Sequence, residues 1–315
     1  MIRRRTLLLS APALSLAPAA ALAQAMEVRL GTSTAGGGFV AYSVALLEAL
    51  KAVDPVLDIR PVQTKGATEN AELLQSGDID IGLVGGEVMY EWIAKHPDQP
   101  RLKIISVLYS APGMFAVRPE TRYRKITDLE GRPVVWSPRG TASAVQARYV
   151  MDGLGLDQDR DFQAIYPERF TDGPTLVIER RASALWGSGY RWPGFVELAG
   201  QPGGVRFIVP SAAEIEQIRT KYAFLVKLTV PPGLYPGQYD PIVTVGAWSY
   251  ILARPDLDDA VGHRLAKSLY KTERSSMPSK HTVQTTARNT LAAIASLDEL
   301  HPGVLRFYRE AKLTQ

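Results

Sequence analysis

The chain has 315 residues, and its 36 Lys and Arg side chains outnumber its 32 Asp and Glu side chains by only four. Arg3, Arg4 and Arg5 lie in the N-terminal segment, and without them 33 basic residues face 32 acidic ones, a net charge of +1. This balance, without any block of five like charges, argues against a nucleic-acid-binding surface. The absence of cysteine excludes disulfides, thiol catalysis and thiolate metal sites.

The N-terminal segment has the three-part pattern of a secretory signal peptide. The arginine triplet gives a positive start, and a mainly apolar stretch follows from Leu7 to Leu22. Ala21 and Ala23 are small residues at the two positions that signal peptidase recognises, so residues 1–23 are predicted to be removed by cleavage near Ala23–Gln24. The alternative is a membrane anchor, which needs about 20 apolar residues with suitable flanks. The pattern therefore predicts export to the periplasm, by the general or the twin-arginine route.

After this segment, strands and helices alternate. The apolar periodicity predicts a first series of strand 27–32, helix 39–53, strand 59–62, helix 68–74 and strand 78–84. The second series comprises extended segments 103–108 and 114–117 with a turn at Pro112–Gly113, strand 133–136, helix 142–154, helix 176–180, strand 182–186, strand 205–209, helix 212–221 and strand 225–230. A Pro/Gly-rich loop (231–241), a long β-rich run (242–252) and helices 257–270, 283–295 and 302–312 complete the chain.

Alternation of strands and helices is typical of parallel α/β sheets. Two such series followed by a helical tail without a third sheet predict two lobes, each a mainly parallel sheet flanked by helices. Lobe one is expected to comprise residues 26–110 and 250–315, and lobe two residues 111–249. Two strands crossing between the lobes are expected to form a hinge.

Five motifs, in this order and spacing, resemble a known family over nearly the whole mature length. They are Thr32–Phe39 (TSTAGGGF), Thr68–Asp80 (TENAELLQSGDID), Asp128–Val134 (DLEGRPV), Tyr235–Gln238 (YPGQ) and His301–Glu310 (HPGVLRFYRE). The chain is similar to the TAXI-type solute receptors of TRAP transporters. The resemblance implies a two-lobed periplasmic binding protein fold (type II-like) that captures a small carboxylate, glutamate-like or a dicarboxylate. It also implies delivery of this small anionic solute to TRAP-type membrane permease subunits. The chain is expected to be a monomer, and no cofactor or metal is predicted.

Two glycine-containing turns, one in each predicted lobe, join a strand end to a helix start. Helix N-termini carry unpaired N–H groups and partial positive charge, which suits a carboxylate. These turns and the resemblance give a set of candidate ligand-binding residues: Thr34, Gly36, Gly37, Gly38, Phe39, Asn70 and Gly85 in lobe one, and Ser137, Arg139, Gly140, Thr141, Trp186 and Tyr235 in lobe two.

Several of these residues have alternative interpretations. Arg139 either pairs with a second carboxylate or is a solvent-facing loop arginine. Asn70 either bonds the ligand or caps a helix. Trp186, together with Tyr190 and Trp192, either walls a pocket or packs in the core.

Other function classes are less well supported. The four histidines (His96, His263, His281 and His301) are scattered without metal-ligand spacing, and no Walker A loop or G-x-S-x-G elbow is present. Ser268–Lys271 matches S-x-x-K, but within an apolar-periodic helix and without the companion motifs. A periplasmic hydrolase is therefore disfavoured, and no catalytic residue is predicted. A secreted sensor of the same fold, which presents its closed form to a signalling receptor, stays open as an alternative.

Overall fold

A computed structural model describes residues 26–275 and 280–314. The predicted signal peptide, residues 1–23, lies outside the described residues, so its cleavage stays a prediction. Within the described ranges no helix is long and apolar enough to cross a membrane.

The sheet of the described chain has ten strands, with eight of them in the order β2-β1-β3-β10-β4-β7-β5-β6. The bounds are β1 Met26–Gly31, β2 Leu57–Val62, β3 Ile81–Gly85, β4 Lys103–Val117, β5 Pro133–Val135, β6 Gln163–Ile165, β7 Ala184–Ser188, β8 Arg206–Ile208, β9 Val226–Val230 and β10 Ile242–Ala253. Strand β8 pairs with β4, and β9 pairs with β10. Pairing is parallel within β2-β1-β3 and within β7-β5-β6, and antiparallel wherever β4 or β10 takes part.

Helices cover both groups of parallel strands. Their bounds are α1 Gly38–Val53, α2 Ala67–Ser76, α3 Gly86–Lys95, α4 Ala142–Gly153, α5 Asp172–Ile178, α6 Pro193–Ala199, α7 Ala212–Lys221, α8 Asp259–Glu273, α9 Ala287–Ala293 and α10 Pro302–Glu310, with short 3₁₀ turns at Ile126–Leu129 and Leu297–Glu299. Apolar residues of β1, β3, α1, α2, α8 and α10 form one core. Two further cores lie around the second group of strands.

The fold prediction is confirmed: the chain is an α/β protein of two lobes connected by a long antiparallel pair, β4 and β10. These strands have 15 and 12 residues. Strand β10 pairs with β3 of lobe one and β9 of lobe two, and β4 pairs with β10 and with β7 and β8 of lobe two. The lobe boundaries given above remain a prediction.

The sequence-based elements need four corrections. Pro112–Gly113 lies inside the continuous strand β4 and does not form a turn. Helices α3 and α6 and the short strand β6 were not predicted. Strand β3 begins at Ile81, because Gly77 ends α2 in a left-handed conformation and residues 78–80 form its exit. Helix α5 begins at Asp172, four residues before the predicted start.

Candidate functional site

A pocket lies where the two lobes meet. Its walls come from helix starts and strand ends of both: Ser33, Gly38, Phe39, Ala67, Tyr109, Ala111, Thr141, Ala142, Ser143, Phe170, Ser188, Trp192 and Ser249. The cavity has a volume of about 30 Å³. That is room for one or two waters, so the pocket is narrow.

The first wall is the start of α1. Gly36 has φ +78°, in the left-handed region that glycine adopts without strain, and it turns the chain from β1 into the helix. Gly37 is the N-cap, and no side chain caps the helix. The first N–H groups of α1 therefore lack a side-chain acceptor at the point where Gly38 and Phe39 reach the pocket.

Two further helices begin at the same place. Helix α2 has Gly66 as its N-cap, again without a side-chain cap, and its first residue Ala67 lines the pocket. Helix α4 has Thr141 as its N-cap, whose hydroxyl accepts the Ala144 N–H, and its first residue Ala142 lines the pocket. The partial positive charges of three helix N-termini converge on one small volume, which favours an anion there.

The side chains of the pocket are hydroxyls and aromatic rings. No Lys, Arg, His, Asp or Glu is among the described residues that line it. The rings of Phe39 and Tyr109 lie 6.3 Å apart, and those of Phe170 and Trp192 meet edge to face at 5.8 Å. Burial raises the pKa of Tyr109, which stays a neutral phenol. The pocket can therefore provide neutral donors for an anion and apolar walls for its body.

Contacts between the lobes seal the pocket. The Thr68 N–H of α2 donates to the Gly140 carbonyl at 3.1 Å. A Cβ added to Gly36 would lie 2.5 Å from Thr171 Cγ2, and one added to Gly37 would lie 2.8 Å from the ring of Phe170. The structure therefore shows the closed arrangement of the lobes.

Three of the predicted site residues line the pocket, namely Gly38, Phe39 and Thr141, as does Trp192. Others lie directly behind the walls: Gly36 and Gly37 in the α1 turn, Thr34, whose carbonyl accepts the Gly37 N–H, Ser137, whose hydroxyl donates to Ser143, Gly140 opposite Thr68, and Gly85 opposite Ala142.

The remaining four predicted residues lie elsewhere. Arg139 is exposed, with its guanidinium 3.6 Å from the Asp159 carboxylate and over the ring of Tyr166. Asn70 is fully buried and donates to the Thr32 and Leu83 carbonyls. The Trp186 indole N–H donates to the Ser143 carbonyl within the second lobe, and the Tyr235 hydroxyl donates to the Gly189 carbonyl.

The sequence analysis missed most of the hydroxyl groups: Ser33, Tyr109, Ser143, Ser188 and Ser249. Ser143 had a usable signal, because it follows the Thr141 cap and so lies in the first turn of α4. Ser188 and Ser249 lie near the ends or crossings of strands and have no local sequence signal. No group of three or more His, Cys, Asp or Glu side chains in the described ranges is placed to hold a metal ion.

Comparison with known proteins agrees with this architecture. The model of the NMT1-like family matches residues 30–311. A protein from Bordetella bronchiseptica RB50 is similar in structure, with a TM-score of 0.55, 12% identity, and coverage of 92% of this chain and 99% of that one. A Salmonella typhimurium periplasmic binding protein with high arginine specificity has a TM-score of 0.51 and 14% identity, covering 84% and 100%. An ancestral arginine-binding protein, bound to arginine, has a TM-score of 0.50 and 13% identity, covering 82% and 97%. At these identities the similarity establishes the fold.

Proposed function

Because the chain belongs to the NMT1-like family and has the fold of periplasmic solute-binding proteins, we propose that it is an extracytoplasmic receptor that captures a small carboxylate between its lobes. The proposed partner is a TRAP-type permease, to which the closed form delivers the solute. The motif run that resembles TAXI-type receptors supports this partner. The N-terminal signal pattern supports export before the solute is met.

One observation carries the ligand class. Helices α1, α2 and α4 all begin at a pocket whose described lining has no charged side chain. A cation would meet three positive helix ends and no counter-charge, whereas an anion gains from each of them. Because the glycine N-caps of α1 and α2 have no side-chain acceptor, backbone N–H groups at these helix starts can donate hydrogen bonds to the ligand. The binding residues proposed are those of the α1 turn (Gly36–Phe39) and of the α4 start (Thr141–Ser143).

The ligand is small and becomes almost wholly enclosed. Ordinary pockets for drug-sized ligands enclose about 300–1,000 Å³, far more than this closed pocket offers. Entry therefore requires the lobes to part, and β4 and β10, the long antiparallel pair that connects the lobes, are the elements about which they can move.

A thermal-shift screen of the mature chain tests this proposal. The panel contains small mono- and dicarboxylates and amino acids, each beside its neutral amide. We expect at least one carboxylate to stabilise the fold, by about 2.7 kcal/mol at a hundred times its Kd, and its amide to have no effect. The bound compound should be recovered unchanged, since we propose binding without turnover. Stabilisation by the amides alone, or by none of the compounds, contradicts the carboxylate assignment.

Two variants locate the site. Gly38→Val places methyl groups beside Tyr109 and Trp192, because a Cβ at this position would lie 2.9 Å from the Tyr109 hydroxyl. We expect it to abolish the shift. Arg139→Ala is the matched control, because Arg139 lies outside the pocket walls, and the shift should persist. Delivery is tested by carboxylate uptake into vesicles that contain the permease, which should require the loaded protein.

A further inference from the structure

Glu87, the second residue of α3, is a buried acid outside the pocket walls. It is 1% exposed, and neither carboxyl oxygen has a hydrogen-bond partner among the described residues. An ionised carboxylate in such a place would forfeit its hydration without compensation. Burial raises the pKa of Glu87 to about 8, against the lowering effect of its own backbone N–H and with a smaller contribution from Glu91. The carboxyl is therefore neutral at pH 7 in the closed arrangement.

The neutral carboxyl lies at the contact between the lobes. A Cβ added to Gly85 would collide with Glu87 Oε1 and would lie 2.6 Å from the methyl group of Ala142. The carboxyl and the Ala142 methyl therefore occupy the same narrow space beside Gly85. Ala142 belongs to α4 of the second lobe and also lines the pocket, so part of the cover over Glu87 is supplied by the opposite lobe.

The burial of the Glu87 carboxyl thus depends on the contact between the two lobes. We propose that closure of the lobes is coupled to the uptake of one proton by the Glu87 carboxyl. When the lobes close, α4 covers the carboxyl, which is then buried and protonated. When the lobes part, the carboxyl is exposed to water and ionises. The inference rests on the proposed function in so far as the pocket that closes is the solute site, and it then describes the regulation of that site.

The other titratable groups around Glu87 do not change charge with it. On α3 itself, Glu91 pairs with Arg148 of α4, and its pKa is lowered by that arginine against the effect of burial. Tyr109 of β4, Tyr149 of α4 and Tyr250 of β10 have pKa values raised chiefly by burial, and remain neutral. Helix α2 adds two acids, Glu72, which is exposed, and Glu69, which accepts the Lys65 N–H.

The sign of the pH dependence follows from the pKa of Glu87. The closed form holds a proton up to a pH of about 8, whereas an exposed glutamate loses it near its ordinary value of 4.5. Between these limits the closed form binds more protons than the open form. The closed-to-open ratio therefore falls as the pH rises, by at most about tenfold per pH unit.

Distance measurements on the ligand-free mature chain test the coupling. Because the chain has no cysteine, Lys51→Cys in lobe one and Glu216→Cys in lobe two, both exposed, can carry the two spin labels. Double electron–electron resonance from pH 5 to pH 9 should show the short-distance population shrinking as the pH rises. In Glu87→Gln, which is neutral at every pH, this population should not change with pH. The control Glu72→Gln should respond as the parent does.

A second measurement, infrared spectroscopy of the parent chain, does not depend on whether the Glu87→Gln variant folds. The parent should show a protonated-carboxyl band at pH 7 that is lost as the pH rises through about 8. A distance distribution that does not change with pH in the parent, an equal response in Glu87→Gln, or the absence of the infrared band overturns the proposal. No solute is added, so the failure of the carboxylate screen leaves this result standing, and the reverse also holds.

Discussion

Asn70 shows how a polar side chain beside a candidate site can serve the fold. Its Nδ2 donates to the carbonyls of Thr32 and Leu83, both at 2.8 Å, from a fully buried position. Thr32 directly follows β1, and Leu83 lies in β3. The side chain thus connects the two strand ends from which the α1 turn and α3 depart. From the sequence, Asn70 could either bind the ligand or cap a helix. Its hydrogen bonds to Thr32 and Leu83 favour a third role, in which it links two strands.

Removing this amide should destabilise the fold. Asn70→Ala leaves the Leu83 carbonyl without its side-chain donor, which costs about 1–3 kcal/mol. It also removes one of the two donors to the Thr32 carbonyl, whose other donor is the Thr64 hydroxyl, at about 0.5–1.5 kcal/mol. Urea unfolding should show a lower free energy of unfolding by about 2–4 kcal/mol. Glu72→Ala, an exposed change on the same helix, should stay within about 0.5 kcal/mol of the parent. Unchanged unfolding together with weakened solute binding would instead assign Asn70 to the ligand.

Arg139 illustrates what spacing in the sequence cannot show. Its turn, between β5 and α4, was predicted, and its charge made a carboxylate contact reasonable. The residues that hold it, Asp159 and Tyr166, follow about twenty or more positions later, in a segment whose only strand is the three-residue β6. Nothing in the local pattern links that segment to the turn. The solvent-facing interpretation is the one that these partners favour.

The elements were predicted best where the apolar periodicity is clear. Strands β1 and β5 and helices α1, α4 and α7 lie within a few residues of their predicted bounds. Strand β4 was split because Pro112–Gly113 is usually a turn signal. There β4 ends its ladder with β10, at Pro112–Gly246, and begins its ladder with β7, at Gly113–Ser188. A proline is tolerated at such an exchange of partners, where a ladder bond is absent. Helix α3 was missed because it follows β3 without a loop and begins at two glycines.

The turn before α1 should control closure, and two glycines provide a matched test. Gly36 and Gly140 have φ values of +78° and +77°, so alanine is strained equally at both, by about 1 kcal/mol. A Cβ on Gly36 would meet Thr171 of the opposite lobe, whereas one on Gly140 would meet nothing within 4 Å.

Gly36→Ala should therefore weaken solute binding well beyond Gly140→Ala, while both lower the free energy of unfolding by a similar amount. Isothermal titration calorimetry with the carboxylate found in the screen gives the affinities, and urea unfolding gives the stabilities. Equal affinities in the two variants would mean that the closed form accommodates the extra methyl group at position 36 beside Thr171 without loss of binding free energy.

For the molecule as a whole, the two lobes could be predicted and their meeting surface could not. Counting strand and helix series is enough to predict two sheets and crossing strands. The pocket, however, is made by residues from distant parts of the chain: Ser33, Tyr109, Ser188 and Ser249 come from four different segments. Tyr109 and Ser249 are neighbours in the ladder between β4 and β10, and Ser33 and Ser188 approach them from the two lobes, so no periodicity in the sequence marks the set.

Closure also forms an aromatic contact away from the pocket walls. Tyr90 of α3 stacks on Phe224, which precedes β9, with ring centroids 4.3 Å apart and planes at 23°. It also meets Tyr149 of α4 edge to face. Tyr90 is 47% exposed, so its ring contributes little to the core of its own lobe. The contact therefore stabilises the closed arrangement more than the fold of either lobe.

Tyr90→Ala should shift the molecule toward the open form. The ring contact is worth about 0.5–1.5 kcal/mol, and it is lost only from the closed form because alanine sustains the helix in both. A ligand closes the lobes only by the difference in its affinity for the two forms, so the Kd should rise by about two- to tenfold. Small-angle scattering with solute present should show a larger radius of gyration than the parent. Tyr239→Ala is the control, because Tyr239 is 86% exposed and its ring stacks on no other ring in the described part of the chain. If Tyr90→Ala has the radius of gyration and the Kd of the parent, the contact between α3 and the second lobe is present in both the open and the closed form. The lobes would then pivot about this contact.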